Sequence, residues 1–454
     1  MINNKNGKEY ECMFCKNNDF EVPEDIIAEI KKENVVIFAG AGISTEGRGI
    51  YKSTLYSEVN DELCENNDKT FPKLMTEYCN RPNGRRYLIN KIITRFEYYK
   101  SFPEIDNMMK LFFEPLADIY SIKEIITTNW DRQFEEKCNC MPVVYDADIS
   151  LLDEKRRKVY KIHGSIDNIG TLVMTDQDYE ICYNKLRENL IGGRIKELLS
   201  RKTVIFIGYS LEDEDFKKIW QFIDDKLNEL KPHFYIVTPD EKMKEKLKDR
   251  NVTVINTLGS NFLEKIRQIL IKDKFLLDSD IFYILTQSIL SFVLEVHERT
   301  TKLMQDEKNS LLIYSTSFQD GIIHSLQRIV ARKNTGEYLD PQFIFNSVRT
   351  YYVMSDDYLK SNNLFDAAYA MGYAYAMQFM FESYNDVVSD KNIDKCSSIC
   401  LYYLPKKTIY NNLKKFKEAL NKYKNKKYIN IANEVLKRFD NENCQQILHH
   451  RPFL

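Results

Sequence analysis

The feature that most constrains the fold is a series of short, continuous apolar runs, spaced by longer helical patterns, through the first 275 residues. Val35-Val36-Ile37-Phe38-Ala39, residues 122–127, Val204-Ile205-Phe206-Ile207-Gly208, Phe234-Tyr235-Ile236-Val237 and Val252-Thr253-Val254-Ile255 lack the apolar and polar alternation of a strand with one wet face. Strands of this kind are buried on both sides, which calls for a parallel sheet covered by helices above and below. Residues 23–34 and 211–230 carry amphipathic helical spacing beside such runs. The expected class is α/β, a doubly wound parallel sheet.

Beyond about Lys274 the strand signals fade and helical spacing takes over, in residues 281–304, 310–332, 363–384, 407–424 and 429–439. Two domains are expected: an α/β domain over residues 1–275, with a helical insertion at about 45–120, and an all-helical domain over 276–454. A chain of 454 residues with 43% hydrophobic and 29% charged residues can bury a core in each. Its net charge of −2 excludes a surface that is a nucleic-acid footprint throughout. The first 24 residues are polar and charged, so no secretory leader is expected. Ten cysteines scattered along the chain suit the reduced thiols of a cytoplasmic protein.

In an open parallel sheet, ligands bind beyond the carboxyl ends of the strands. Four sets of polar or glycine residues fall at such ends. In Thr127-Thr128-Asn129-Trp130-Asp131, alternation puts Asn129 and Asp131 on one side and Trp130 on the other. The plainer reading makes Asp131 the N-cap of a helix beginning at Arg132, and Asn129 a turn residue. His163 closes a β-like run, 159–162, and Gly164 lets the chain turn after it. An imidazole accepts a proton near neutrality, although an isolated histidine is usually structural. In Gly40-Ala41-Gly42-Ile43-Ser44 the glycines would admit a pyrophosphate to the backbone, a following helix N-terminus would attract it, and Ser44 would add a hydroxyl. The alternative is a tight turn with Ser44 as a cap. Gly208-Tyr209-Ser210 is the fourth, either a ligand contact through Gly208 and Ser210 or an N-cap. The third glycine of a Gly-x-Gly-x-x-Gly fingerprint would fall at Thr45, which argues against a hydride-transfer site.

The order Gly-Ala-Gly-Ile-Ser, Thr-Asn-Trp-Asp, His-Gly, Gly-Tyr-Ser resembles the sirtuin family over roughly residues 24–270, where the family reads Gly-Ala-Gly-x-Ser, Gln-Asn-x-Asp, His-Gly, Gly-Thr-Ser. The resemblance implies that Gly40, Ala41, Gly42, Ser44, Thr128, Gly208 and Ser210 line a pocket for NAD. It makes Asn129 and Asp131 contacts to the nicotinamide ribose and nicotinamide, and His163 the catalytic base. Deacylating sirtuins carry a four-cysteine zinc ribbon after His-Gly, whereas only Cys182 lies between Gly164 and Gly208. Their Gly-Ile-Pro-Asp-Phe-Arg segment is replaced by Thr45-Glu46-Gly47-Arg48-Gly49-Ile50. Both departures count against peptide deacylation.

What remains is similar to the sirtuin-like NAD hydrolases of bacterial antiphage defence, in which a sirtuin core is joined to a sensing or assembly domain. That similarity implies NAD as substrate, no metal, and water in place of the acyl oxygen as nucleophile. It also implies a homo-oligomer assembled through the helical domain, held silent until triggered, with a protein partner such as a HerA-type ATPase or a phage protein. Two other classes compete: a non-catalytic NAD or ADP-ribose sensing module, and a protein deacylase or ADP-ribosyltransferase.

Three further signals stand outside this reading. Cys12-x-x-Cys15, with Cys138-x-Cys140, is either an incomplete zinc ribbon or a set of reduced thiols. Ala368, Gly372 and Ala376 would let helix backbones approach, inside a bundle or between subunits; the apolar stretch around them is too short to span a membrane. Residues 414–427 hold seven lysines and one glutamate, either a solvated helix face or a contact for an acidic partner. Nucleic acid is not expected as a direct ligand.

Overall fold

The computed structural model describes residues 20–44, 53–64, 69–209, 217–219, 221, 233–247, 251–304, 307–390, 399–405, 408–441 and 449–452. They fall into two compact units, Met1–Lys272 and Asp273–Leu454.

The first unit is built on seven parallel strands: β1 (Val35–Ala39), β2 (Glu124–Thr127), β3 (Met141–Val143), β4 (Lys158–Lys161), β5 (Thr203–Ile207), β6 (Phe234–Thr238) and β7 (Val252–Asn256). Their order across the sheet is β3-β4-β2-β1-β5-β6-β7, so the chain winds outward on one side of β1 and then returns to add strands on the other. This is the doubly wound arrangement that strands buried on both faces imply, with a switch point beside β1. β1 has all five residues buried, and so does β6. β3, only three residues long, was not anticipated. Its Pro142 has no N–H to donate, which an edge position tolerates.

Register decides what these strands can do together. Ala39 pairs with Thr127 and with Ile207, and Thr127 pairs with Lys161. The last residues of β4, β2, β1 and β5 are therefore level, and the residues that follow them emerge along one edge. Helices Leu55–Leu63, Phe71–Cys79 and Gly84–Ser101 form the insertion. Its core of Val59, Leu74, Met75, Tyr78, Leu88 and Ile92 also takes in Leu172 and Met174, with Trp130 packed against it.

Helix Leu190–Arg201 contains Gly193, where an added Cβ would meet nothing within 4 Å. Gly193→Ala is expected to stabilise the unit by about 0.5–1 kcal/mol, through helix propensity and a less free unfolded chain, as read from urea unfolding curves.

The second unit is helical, with Ser279–Met304, Leu312–Ala331, Pro341–Lys360, Leu364–Asp390, Leu413–Lys422 and Lys426–Asn441 as its main helices. One departure from the all-helical expectation is an antiparallel hairpin, β8 (Tyr402–Leu404) and β9 (Thr408–Tyr410), so the helix expected over 407–424 begins only at Leu413. Aromatic and β-branched residues flanking Pro405 favour this hairpin. The Ser315 hydroxyl anchors it by donating to Tyr403 O (3.1 Å) and accepting from Tyr403 N (3.0 Å).

The small-residue stripe packs inside this unit. A Cβ on Gly372 would stand 1.9 Å from Phe318 O, and one on Gly321 would stand 2.1 Å from Tyr369 O. The backbones of Leu312–Ala331 and Leu364–Asp390 thus touch at two reciprocal glycines. Helix Ser279–Met304 is long and apolar enough to cross a membrane by length and composition, yet it buries Thr286, His297, Thr300 and Thr301 within the unit. On the lysine-rich segment, Phe416 is buried and all seven lysines are exposed, the pattern of a solvated face. Cys138 and Cys140 are buried thiols, while Cys12 and Cys15 lie outside the described residues.

Candidate active site

Beyond Ala39 the chain enters a single 3-10 turn, Ala41–Ser44. Gly40 N donates to Ile207 O (2.8 Å) and Gly42 N to Gly208 O (2.9 Å), so this turn is stitched to the end of β5. A Cβ on either glycine would lie 2.7 Å from Gly208 O, and Gly208 itself has φ +80°. The glycines are therefore demanded by backbone packing between two strand ends, a reason different from the phosphate approach that the sequence suggests. In place of the helix expected to follow β1, the described residues show only this turn. Ser210 lies outside the described residues, as does the segment Thr45 to Ile50.

Tyr209, which sequence reasoning left without a role, joins three strand ends. Its hydroxyl donates to Ala39 O (3.2 Å) and lies 3.2 Å from Thr128 Oγ1. Thr127 Oγ1 donates to the same Ala39 carbonyl (2.9 Å) and accepts from Asn129 N (3.0 Å).

β2 stops at Thr127, so Asn129 and Asp131 stand in a loop just past the strand rather than on it. Both side chains still reach the β1 turn. Asn129 Nδ2 donates to Gly40 O (3.2 Å), and Asp131 Oδ2 accepts from Ser44 Oγ (3.4 Å). Trp130 turns the other way, its ring 6.4 Å from that of Phe71 in the insertion. Asp131 Oδ1 also accepts from Gln133 N (3.0 Å) at the start of helix Gln133–Cys138, so one oxygen caps and the other faces Ser44. Burial pushes the Asp131 carboxyl above its ordinary pKa, against the pull of Lys161 and of those hydrogen bonds.

Asn129 Oδ1 is buried, and among the described residues no donor reaches it. A buried amide oxygen left without a donor costs about 1–3 kcal/mol, so Asn129 Oδ1 gains from any further donor that reaches it.

The loop is held from below by Lys161. Its ammonium donates to the carbonyls of Trp130 (3.4 Å) and Asp131 and pairs with Glu135 (2.9 Å). Burial raises the Glu135 pKa against that pairing.

His163 is 1% exposed, with the rings of Tyr179 and Tyr183 edge-on at 5.1 and 6.2 Å. These tyrosines, four apart on helix Asp176–Glu188, were also missed; their spacing was the available signal. That helix begins in a capping box, with Asp178 N donating to Thr175 Oγ1. Asp178 Oδ2 accepts from Met174 N (3.1 Å), Thr175 N (3.0 Å) and Arg85 Nη1 (2.8 Å) of the insertion. Burial works to raise the Asp178 pKa, but Arg85 and the two N–H groups outweigh it and hold the carboxyl below its ordinary value. Asp178→Ala is expected to destabilise the unit by about 1–2 kcal/mol at neutral pH. A depressed carboxylate stabilises above its unfolded pKa of about 3.9 and loses that contribution as pH falls through the folded value. Urea unfolding at pH 7 and at successively lower pH should therefore show the gap between parent and variant closing under acid.

A cavity of about 630 Å³ lies along β4, lined by Lys161, Ile162, Gly164, Thr171, Val173 and Cys182 among others. Asn129, Asp131 and His163 do not line it.

Residues 123–255 match the SIR2-like domain family, from just before β2 into β7. Three relatives are each named NAD(+) hydrolase ThsA. That of Cytobacillus dafuensis is 29% identical over 203 residues, 43% of this chain and 39% of its own length. That of Bacillus cereus (strain MSX-D12) is 24% identical over 334 residues, 68% of this chain and 64% of its own. That of Enterococcus faecium is 29% identical over 217 residues, 46% of this chain and 44% of its own. The chain thus spans less than two thirds of the length of each relative. The SIR2-like match takes in Asn129, Asp131 and His163, while β1 and its glycine turn lie before it.

Proposed function

We propose that the chain is an NAD glycohydrolase that splits NAD into nicotinamide and ADP-ribose and, in antiphage defence, depletes the cellular NAD pool. The observation that carries this reading is the buried Asn129 Oδ1 beside the Gly40–Ser44 turn, which no donor among the described residues reaches. The likeness to three proteins named NAD(+) hydrolase supports it.

Cleaving the nicotinamide bond develops a cationic, oxocarbenium-like ribose, as in glycoside hydrolysis, while nicotinamide departs as a neutral amide. Because the leaving group departs neutral, the step needs no Lewis acid. Asn129 positions the ribose and a water, with Oδ1 accepting from a hydroxyl. His163 accepts the proton from that water or from a ribose hydroxyl. Asp131, held by Ser44 and the Gln133 N–H, orients the nicotinamide amide. Gly40, Ala41, Gly42, Ser44, Thr128, Gly208 and Ser210 line the dinucleotide.

The helical unit, in this reading, assembles the chain into a homo-oligomer in the cytoplasm and answers a protein partner such as a HerA-type ATPase or a phage protein. The test is nicotinamide release from NAD by the full chain, with and without an acyl-lysine peptide, alongside NAD levels in expressing cells challenged with phage. Release without peptide supports the hydrolase, and strictly peptide-dependent release would assign a deacylase. NAD or ADP-ribose binding with no nicotinamide released and no cellular NAD loss would assign a sensing module.

A further inference from the structure

Three side chains of the second unit each aim one ligand atom at a common point. His297 lies on helix Ser279–Met304, Asp320 on helix Leu312–Ala331, and His449 near the carboxyl end. His297 Nε2 and His449 Nδ1 are 3.2 Å apart, His449 Nδ1 and Asp320 Oδ1 3.0 Å, and His297 Nε2 and Asp320 Oδ1 3.4 Å. Nitrogen and oxygen ligands at 2.0–2.1 Å from a tetrahedral zinc ion lie about 3.3 Å from one another. The triangle has that size already.

Gln319 Nε2 donates to Leu401 O (2.8 Å) and Thr300 Oγ1 (3.3 Å), so its Oε1 is the atom facing His297 Nδ1 at 2.9 Å. His297 Nδ1 therefore carries the ring proton, and Nε2 turns a lone pair into the cluster. His449 Nδ1 has one proton and two acceptors before it, Asp320 Oδ1 and His297 Nε2. With both imidazoles neutral, at most one proton, that on His449 Nδ1, lies among the three facing atoms, so at least one of their contacts has no proton to fill it and a cation relieves the repulsion. The outer partners have the form that accompanies metal-bound histidine and carboxylate. Gln319 fixes the tautomer of His297, and His450 N donates to Asp320 Oδ2 (2.7 Å), leaving Oδ1 for the centre.

We propose that His297 Nε2, Asp320 Oδ1 and His449 Nδ1 bind a divalent transition metal ion of the zinc class. A water takes the fourth position on the side of the half-exposed His449. Two imidazoles and one carboxylate are the borderline donors that suit zinc, whereas magnesium and calcium prefer all-oxygen sets. On binding, the His449 ring proton moves from Nδ1 to Nε2, so the ring stays neutral. The ion pins residues 449–452 to the two helices, adding to the contacts His450 makes with Asp366 (2.9 Å) and with the Tyr369 ring (4.2 Å).

The test takes the full chain, stripped with a chelator and titrated with zinc chloride. Metal content is read by mass spectrometry after gel filtration, and stability by thermal melting. His449→Ala is the primary variant, because that side chain is 48% exposed and its loss leaves the buried helix contacts in place. Asp320→Asn keeps the shape and removes the charge. The parent should hold one zinc more per chain than His449→Ala. Its melting temperature should rise by roughly 5–10 °C with zinc at a hundredfold excess over Kd, with no such rise in either variant. Cobalt in place of zinc should give the intense visible bands of a tetrahedral site in the parent alone. Equal metal content and equal melting shifts in parent and His449→Ala, including no uptake in either, would overturn the proposal.

Discussion

Gly372→Leu is expected to leave the second unit without a cooperative melting transition. The Cβ alone would sit 1.9 Å from Phe318 O, and the atom it meets is backbone of a neighbouring helix, which has no rotamer to change. Relief requires the two helices to part, yet Gly321 keys the same pair in the opposite sense, 2.1 Å from Tyr369 O. Parting them exposes Ala368, Tyr369, Ala376 and Phe318, all at most 1% exposed in the parent. Overpacking by itself costs about 1–3 kcal/mol. Adding the lost helix contact takes the sum beyond about 4–5 kcal/mol, against a typical domain stability of about 5–15 kcal/mol. Circular dichroism melting and limited proteolysis of the second unit are the measurements. A variant with the parental melting curve and cleavage pattern would mean the helices are not in backbone contact here.

The same pair of helices shows what a sequence does and does not reveal. Ala368, Gly372 and Ala376 announce a close helix approach but not its partner, in whose helix Gly321 is the single glycine, flanked four residues either way by the polar Ser317 and Ser325. Helix Pro341–Lys360 escaped periodicity because it buries only Ile344 and Ser355. Its start was nevertheless signalled by Asp340-Pro341, where the Asp340 side chain accepts from Gln342 N (2.8 Å). The hairpin β8–β9 depends on Ser315, nearly ninety residues earlier in the chain, and a local pattern carries no trace of that.

In the first unit the strands buried on both faces were legible from their apolar runs, and equal strand ends follow once those runs pair in parallel. Polar groups at those ends were therefore readable as lying along one edge of the sheet. Their supports were not. Lys161 acts by reaching back to Glu135 and the Trp130 carbonyl, and Tyr209 by reaching across to Ala39. The glycines were recognised while their first cause was not, because contact between Gly42 and Gly208 joins positions that only the sheet order makes neighbours.

His163→Ala should nearly silence nicotinamide release while the chain stays folded. General-base assistance contributes about 10²- to 10⁴-fold, or about 2.7–5.5 kcal/mol of barrier. The imidazole packs edge-on to Tyr179, so its removal also leaves a small void, and the fold of the variant needs checking by melting. That cost does not explain a rate loss: a void lowers stability, whereas a missing base lowers kcat with KM little changed. Asn129→Ala gives the complementary signature. It removes the buried Oδ1, which no donor among the described residues reaches, and one hydrogen bond to Gly40 O, so the fold loses only about 1 kcal/mol and substrate placement suffers most, seen in kcat/KM. The double variant should fall little further than His163→Ala alone, because a water that is not positioned gains nothing from a base and a base gains nothing without its water. Measured under conditions where the parent releases nicotinamide, a folded His163→Ala chain working at the parental rate would remove the imidazole from the mechanism and leave Asn129 and Asp131 as a binding pair only.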